Sequence, residues 1–234
     1  MRRILRKGIP LLFLALPSCD PPSEPPRPRR DRSRAAAPLL RPAAREFLLP
    51  SGALPARVRS VYDGDTLTLD GGRKVRLLGV DAPEISKKEN LAIEARDFTR
   101  SLCEDRDVWL EFDLEKEDRY GRLLSYVYVR GGGGEIRMVN AEILREGLAR
   151  FYTPGVNLRH AETLLACQRE AREQGRGTWK DYVLARSRTV VATRGGKAYH
   201  REGCAFLKDS RNLRTLTVEE ALDQGLSACR ECRP

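Results

Sequence analysis

The chain lacks three things that narrow its class before any motif is read. It lacks net charge where it would fold. The formal +10 of its 234 residues sits almost wholly in Met1–Arg59, with 13 Lys+Arg against 4 Asp+Glu, whereas the remainder carries 30 against 29. Any pull of the folded part on phosphate must therefore come from local clustering of basic groups. It lacks a long apolar run: Ile9–Leu16 is too short to span a bilayer, which argues against an uncleaved membrane anchor. It also lacks an internal repeat, and its length suits one domain with a sizeable core plus appendages.

What is present at the start is a leader and a spacer. Arg2, Arg3, Arg6 and Lys7 precede the apolar stretch, and residues 1–18 read as a secretory signal. The stretch ends at Leu16-Pro17-Ser18-Cys19, which resembles a bacterial lipoprotein signal. That resemblance implies lipidation of Cys19, an N-terminal membrane anchor and an extracytoplasmic location; plain cleavage and secretion is the alternative. Asp20 resembles the residue that retains some lipoproteins in the inner membrane. Residues 19–55 are rich in Pro, Arg and Ala and have little to bury, so a solvated tether is expected.

The chemistry is expected in Asp63–Glu84. Asp63-Gly64 and Asp70-Gly71-Gly72 lie between alternating apolar residues, which predicts two tight hairpins. Asp65 then opens the second strand and Arg76 lies inside the third. Asp81 and Glu84 fall where that strand breaks at Ala82-Pro83. Three carboxylates and an arginine at strand ends suit a hard, oxygen-liganded cation beside a phosphate. Taken singly, each residue has a structural role open to it: Asp63 and Asp65 as turn formers, Arg76 on a solvated face, Asp81 as a cap.

Helical spacing of Leu91, Ala95, Phe98 and Leu102 predicts a helix over Asn90–Cys103. Alternation predicts strands over Val108–Leu114 and Leu123–Val129, and helices are expected over Val139–Leu148 and Asn157–Gln174. Five strands with a helix after the third predict an α+β domain over 56–183, built on an OB-type Greek-key β-barrel with three helices. A linker is expected over 184–196.

The motifs Asp63-Gly64-Asp65-Thr66, Arg76-Leu77-Leu78-Gly79-Val80-Asp81-Ala82-Pro83-Glu84 and Tyr120-Gly121-Arg122 stand in the order found in the staphylococcal-type thermonucleases, which this chain resembles over roughly 57–182. That resemblance implies an OB-type barrel and a calcium-dependent nuclease that cuts DNA and RNA with little sequence preference, leaving 3'-phosphates. It implies that Asp65, Asp81 and the backbone carbonyl of Ala82 ligate Ca2+. It further implies that Glu84 acts as general base and that Arg76 and Arg122 hold the phosphate. Where the family usually has threonine this chain has Ala82, with no hydroxyl to offer. Arg119 and Tyr120 are expected as further substrate contacts, and Tyr152 as a base-stacking ring or a partly buried tyrosine. The alternative reading is a non-catalytic OB-fold lipoprotein that binds single-stranded nucleic acid.

Residues 197–234 read as a separate Cys/His mini-domain. His200 and Cys204, with the Cys229-x-x-Cys232 pair, form a closed set for structural Zn2+. A disulfide between Cys204 and one of the CxxC cysteines is the competing pairing in an oxidising compartment. The segment resembles short Cys/His modules that follow thermonuclease domains and, more distantly, the zinc module of Ada-type repair proteins. Thr217–Glu220 predicts a capping box and Gly225 a helix stop. Cys103 and Cys167 are left as a pair or as two buried thiols.

Overall fold

Alternation of buried and exposed residues drives the first hairpin. The computed structural model describes residues 47–152, 155–157 and 159–234, and in it β1 (Leu54–Asp63) turns at Gly64 into β2 (Thr66–Leu69). Val58, Val61, Leu67 and Leu69 go to the core. β2 turns in turn into β3 (Lys74–Leu77). A short β4 (Val80–Asp81) follows, then α1 (Ala92–Cys103), β5 (Asp107–Glu111), β6 (Leu123–Arg130), β7 (Ile136–Met138), α2 (Val139–Arg145), β8 (Arg150–Phe151) and α3 (Ala161–Glu173).

Leu54–Arg57 of β1 pair with β5 and Val58–Asp63 with β2, the latter ladder carrying register shifts between Val58 and Ser60 and between Val61 and Asp63. Bulges of this kind bend a strand, so one strand serves two neighbours. β5 pairs with β6, and β6 returns alongside β3 in parallel, Val75 opposite Leu123. The circuit β1-β2-β3-β6-β5 is thereby closed, a five-stranded barrel of OB type. Its interior is filled by Val58, Leu67, Val75, Leu77, Leu110 and Val127, and α1, α2 and α3 pack in the same core.

Several boundaries differ from the sequence expectation. α1 starts at Ala92 because Leu91 takes a left-handed conformation (φ 65°) that no helix continues from. β5 ends at Glu111, whose carboxylate leaves the ladder to accept from Tyr128 Oη at 2.6 Å and to meet His160 Nε2 at 2.7 Å. α3 begins at Ala161 rather than Asn157. The strands β4, β7 and β8 are two or three residues long, too short to show a period.

The C-terminal part is a second small sheet. After α4 (Tyr182–Ala185), β9 (Thr189–Thr193) is flanked by β11 (Leu213–Thr217) and β10 (Ala198–His200), and β10 pairs in parallel with β12 (Ser227–Ala228). The stretch 184–196 is therefore not a linker throughout: it supplies a central strand, with Val190 and Ala192 buried. α5 (Val218–Asp223) carries the capping box, Thr217 and Glu220 each accepting from the other's backbone N–H, and Gly225 at φ +73° ends the helix. This sheet does not stand apart. Val190, Tyr199, Val218, Leu222 and Leu226 share one core with Ala171, Trp179 and Tyr182.

The expected leader and Cys19 lie outside the described residues, as does most of the expected tether. Its last part is not free chain. The Phe47 N–H donates to the Ile136 carbonyl at 2.9 Å, its ring meets Tyr128 edge-on, and Leu54–Pro55 already belong to β1. Among the described residues no helix is long and apolar enough to cross a membrane.

Candidate functional site

The β1–β2 turn sets the first carboxylate. Gly64 holds the turn against α1 and the segment after β4. A Cβ there would lie 2.7 Å from that of Ala82 and 2.9 Å from that of Ala95, so only glycine lets the two segments close. The Thr99 hydroxyl donates to the Gly64 carbonyl at 2.9 Å and fixes the turn to the helix. Asp65 is left 5% exposed, its Oδ1 accepting from the Thr66 hydroxyl at 3.1 Å and its Oδ2 from the Ala82 N–H at 2.7 Å.

The β2–β3 register sets Thr66 opposite Arg76, so the arginine rises beside Asp65. Its Nη1 stands 2.8 Å from Asp65 Oδ2 and donates to the Val80 carbonyl at 2.5 Å, while Nη2 lies 3.4 Å from Asp81 Oδ1. β4 pairs with β8, Asp81 opposite Arg150, which holds the second carboxylate in place. One guanidinium thus gathers two carboxylates that lie 16 residues apart in the chain.

The electrostatics of the two sides differ. Burial pushes Asp65 up to about 7, against the pull of the Arg76 guanidinium and with the nearby Asp63 carboxylate adding to the rise. Glu84 moves the other way. Its hydrogen bond from Lys87 Nζ, at 2.7 Å, outweighs its slight burial, and the charges of Lys87, Arg230 and Arg76 add to the lowering, so it stays ionised and open to solvent.

Arg76, Asp65, Asp81 and the Ala82 backbone meet at one place, with Glu84 at its mouth within the field of Arg76. Arg122 is not drawn onto the carboxylates. Its Nε pairs with Asp118 Oδ2 at 2.7 Å, and its guanidinium lies 5.7 Å from the Tyr120 ring centroid, with Arg119 over the same ring at 4.9 Å. The parallel register of β3 and β6, Arg76 beside Leu124, nevertheless sets Arg122 two residues from Arg76's neighbour. Tyr120 is exposed and Tyr152 half-buried.

Two contacts have no signal in the sequence. Asp118 anchors the Tyr120-Gly121-Arg122 turn through its carboxylate, which accepts from the N–H groups of Tyr120 and Arg122. Arg230, from the far end of the chain, reaches Asp81: its Nη2 lies 3.0 Å from both carboxylate oxygens, and its guanidinium lies 5.6 Å from the Tyr152 ring centroid. Spacing places Arg230 between Cys229 and Cys232 but says nothing of where that loop docks.

The donor sets fit two different metals. Asp65, Asp81 and a backbone carbonyl are oxygen donors, and the buried Asp65 carboxyl is one whose ionised form a bound cation would restore, so a hard ion such as calcium suits them. In the C-terminal part His200, Cys204, Cys229 and Cys232 bring their ligand atoms within 4.8 Å of one another, a set that fits one tetrahedral ion of zinc type. Burial lowers the His200 imidazole from its ordinary value, toward the neutral form a ligand needs, and the Arg201 N–H donates to Cys232 Sγ at 3.3 Å. None of the three cysteines is in a disulfide, and Cys103 and Cys167 are two buried thiols rather than a pair.

Comparison with known proteins points to one family. Residues 74–181 match the family described as staphylococcal nuclease homologue. The chain is 37% identical over 135 residues to a thermonuclease of Staphylococcus hyicus, covering 53% of this chain and 75% of that one. It is 37% identical to a thermonuclease of Staphylococcus intermedius over 53% of this chain and 74% of the relative. It is 36% identical to an uncharacterised endonuclease of Escherichia coli, again over 53% of this chain and 76% of the other.

Proposed function

Because this chain belongs to the staphylococcal nuclease homologue family, we propose that it is a nuclease, hydrolysing phosphodiester bonds in DNA and RNA with little sequence preference and with Ca2+ as cofactor. The observation that carries this reading is the convergence of Asp65 and Asp81 on Arg76, with an ionised Glu84 beside them. A hydrolytic phosphodiesterase needs those groups together; a surface that only binds single strands does not.

In this reading Asp65, Asp81 and the Ala82 carbonyl would hold Ca2+, which when bound supplies positive charge to the scissile phosphate. Glu84, held ionised, takes the proton from an attacking water. Arg76 and Arg122 present planar forks to the phosphate oxygens and stabilise the charge that builds there in the transition state. Each is held now by a carboxylate, Arg76 by Asp65 and Asp81 and Arg122 by Asp118, so both forks are oriented before substrate arrives. Arg119 and Tyr120 lie on the same turn as Arg122 and extend the contact along the strand. The leaving group is the 5' oxygen, and 3'-phosphates are the products.

The Cys/His cluster holds structural Zn2+ in this reading, since four protein ligands leave no open position for catalysis. The N-terminal leader and Cys19 make the enzyme a lipid-anchored, extracytoplasmic protein that meets nucleic acid outside the cytoplasm. The test is cleavage of single-stranded DNA by the full chain with calcium, with magnesium and with chelator, beside Glu84→Gln. Calcium-dependent cleavage that falls by about 10²–10⁴ in Glu84→Gln, with binding retained, supports the reading. A folded chain that binds DNA and cleaves it in no metal sinks the reading.

A further inference from the structure

The barrel and the C-terminal residues hold almost balanced charge, so a phosphate-binding site must be assembled from arginines brought in one at a time. Two belong to the barrel. We propose that Arg230 is a third, a substrate-binding residue that the Cys/His module delivers to the nuclease site from 149 residues away. This rests on the nuclease reading above but concerns a residue outside the matched family domain.

Three observations carry it. First, the loop that bears Arg230 is braced. The Cys229 N–H donates to the Tyr199 carbonyl at 2.9 Å, the Arg233 N–H to the Cys229 carbonyl at 3.0 Å, and Arg201 Nε to the Cys232 carbonyl at 2.8 Å. With Cys229 and Cys232 converging on His200 and Cys204, the residue between them has a fixed backbone. Second, the module is seated on the barrel's helices. Ala171, Trp179 and Tyr182 share its core, Arg172 pairs with Asp223, and a Cβ on Gly225 would stand 3.1 Å from the Phe151 ring. The loop therefore points into the site in a set direction. Third, the Arg230 guanidinium is positioned as an anion fork. It meets both oxygens of Asp81, rests over Tyr152, and its side chain is 67% exposed, open to an arriving strand.

Asp81 is also a carboxylate given over to the cation in the proposed function. When the cation takes it, Arg230 loses its present partner; Glu84, whose charge it already feels, has Lys87 as its own partner, which leaves the Arg230 fork to the phosphodiester that enters with the cation. Its guanidinium already lies beside the Tyr152 ring and its side chain is largely exposed, so the fork turns within a side chain's reach and needs no loop movement. The geometry gives the strand a second grip beside Arg76 and Arg122.

The experiment uses the full chain and compares Arg230→Ala and Arg230→Lys with wild type, and with Arg211→Ala, an exposed arginine elsewhere in the module, as the control for lost charge. Cleavage of oligothymidylate in calcium gives KM and kcat. Affinity for the same oligomer, by fluorescence anisotropy on the Glu84→Gln background in calcium, is read across a salt series. The affinity measurement needs no turnover, so it decides the role of Arg230 even for a chain that fails to cleave. Arg230→Ala is expected to raise KM and weaken affinity by roughly tenfold, with kcat little changed. It should also lower the salt slope by about 1. Arg230→Lys is expected to keep the slope and recover part of the affinity, and Arg211→Ala to leave KM where it was. Unchanged KM, affinity and slope in Arg230→Ala would overturn the proposal. So would tighter binding and faster cleavage in that variant, which would mark Arg230 as a plug over the carboxylates.

Discussion

The molecule carries two ligand sets, and they are balanced in opposite ways. The carboxylates of the barrel have cations of their own, Arg76 lying between Asp65 and Asp81 with Arg230 on the outer side of Asp81. Their walls belong to the main core, held by Val80, Ala82, Ala95 and Ile143. The four ligands of the C-terminal cluster converge on a point with little apolar matter behind them, Leu207 being the one buried non-ligand residue of their cluster. One site is built by the fold before any ion arrives; in the proposed reading, the loops of the other would rely on an ion to hold them together. Two ligand sets in one chain would then depend on their ions to different degrees.

The strongest way to break this contrast is to remove the metal from the thiolate cluster. Chelation is expected to cost the module on the order of 10 kcal/mol of metal-binding free energy, the low end of the range for structural zinc. Trypsin should then cut at Arg201, Arg211 and Arg214, while the far-ultraviolet circular dichroism of the barrel persists. Simultaneous loss of both would show that the barrel too depends on its ions.

Next in size is the barrel's internal cation. Arg76→Ala is expected to slow cleavage by at least about 3 kcal/mol of barrier, and Arg76→Lys to restore little, because an ammonium cannot span two carboxylates or two phosphate oxygens. Single-turnover rates with saturating DNA measure this directly.

A smaller effect should come from the turn. Gly64→Ala puts a methyl where Ala82 and Ala95 already stand, an overpacking worth about 1–3 kcal/mol of stability in urea denaturation. If activity falls further than stability explains, the spacing of Asp65 and Asp81 is what the glycine protects.

A pH slope tests the first of the two carboxylates. Asp65, raised from 3.8 to about 7, keeps in the folded chain a proton that the unfolded chain releases. In calcium-free buffer its contribution to stability is therefore present in acid and is lost as pH rises from about 4 through about 7. Asp65→Asn should flatten that part of the melting-temperature profile, and calcium should raise the wild-type melting temperature more at pH 8 than at pH 6.

Much of this was legible because the groups that meet are close in the chain. Asp65, Arg76, Asp81 and Glu84 are joined by two tight turns, and Asp-Gly pairs announce such turns. His200 with Cys204 and Cys229 with Cys232 are each local pairs. What escaped were pairings between distant segments. β9 reads as linker because Val190 and Ala192 count as buried only once β10 and β11 flank them. Arg122 with Asp118 is local, yet the sequence gives no hint that the carboxylate, not the barrel, holds the guanidinium. Arg230 on Asp81 depends on how one folded part seats on another, which no periodicity encodes.

The shared core of Trp179, Tyr182 and the small sheet bears on the order in which the chain is completed. Synthesis or export delivers the N-terminal side first, so all five barrel strands can close once Arg130 has emerged. α3 and α4 then follow with Ala171, Trp179 and Tyr182 uncovered, and they stay so until Val190–Leu226 arrives to bury them. The last forty-odd residues thus act as a lid on an apolar surface left by those before them. A nonsense codon near Arg194 would release a finished barrel with a sticky flank, and such a product should be a client for chaperones rather than a smaller enzyme.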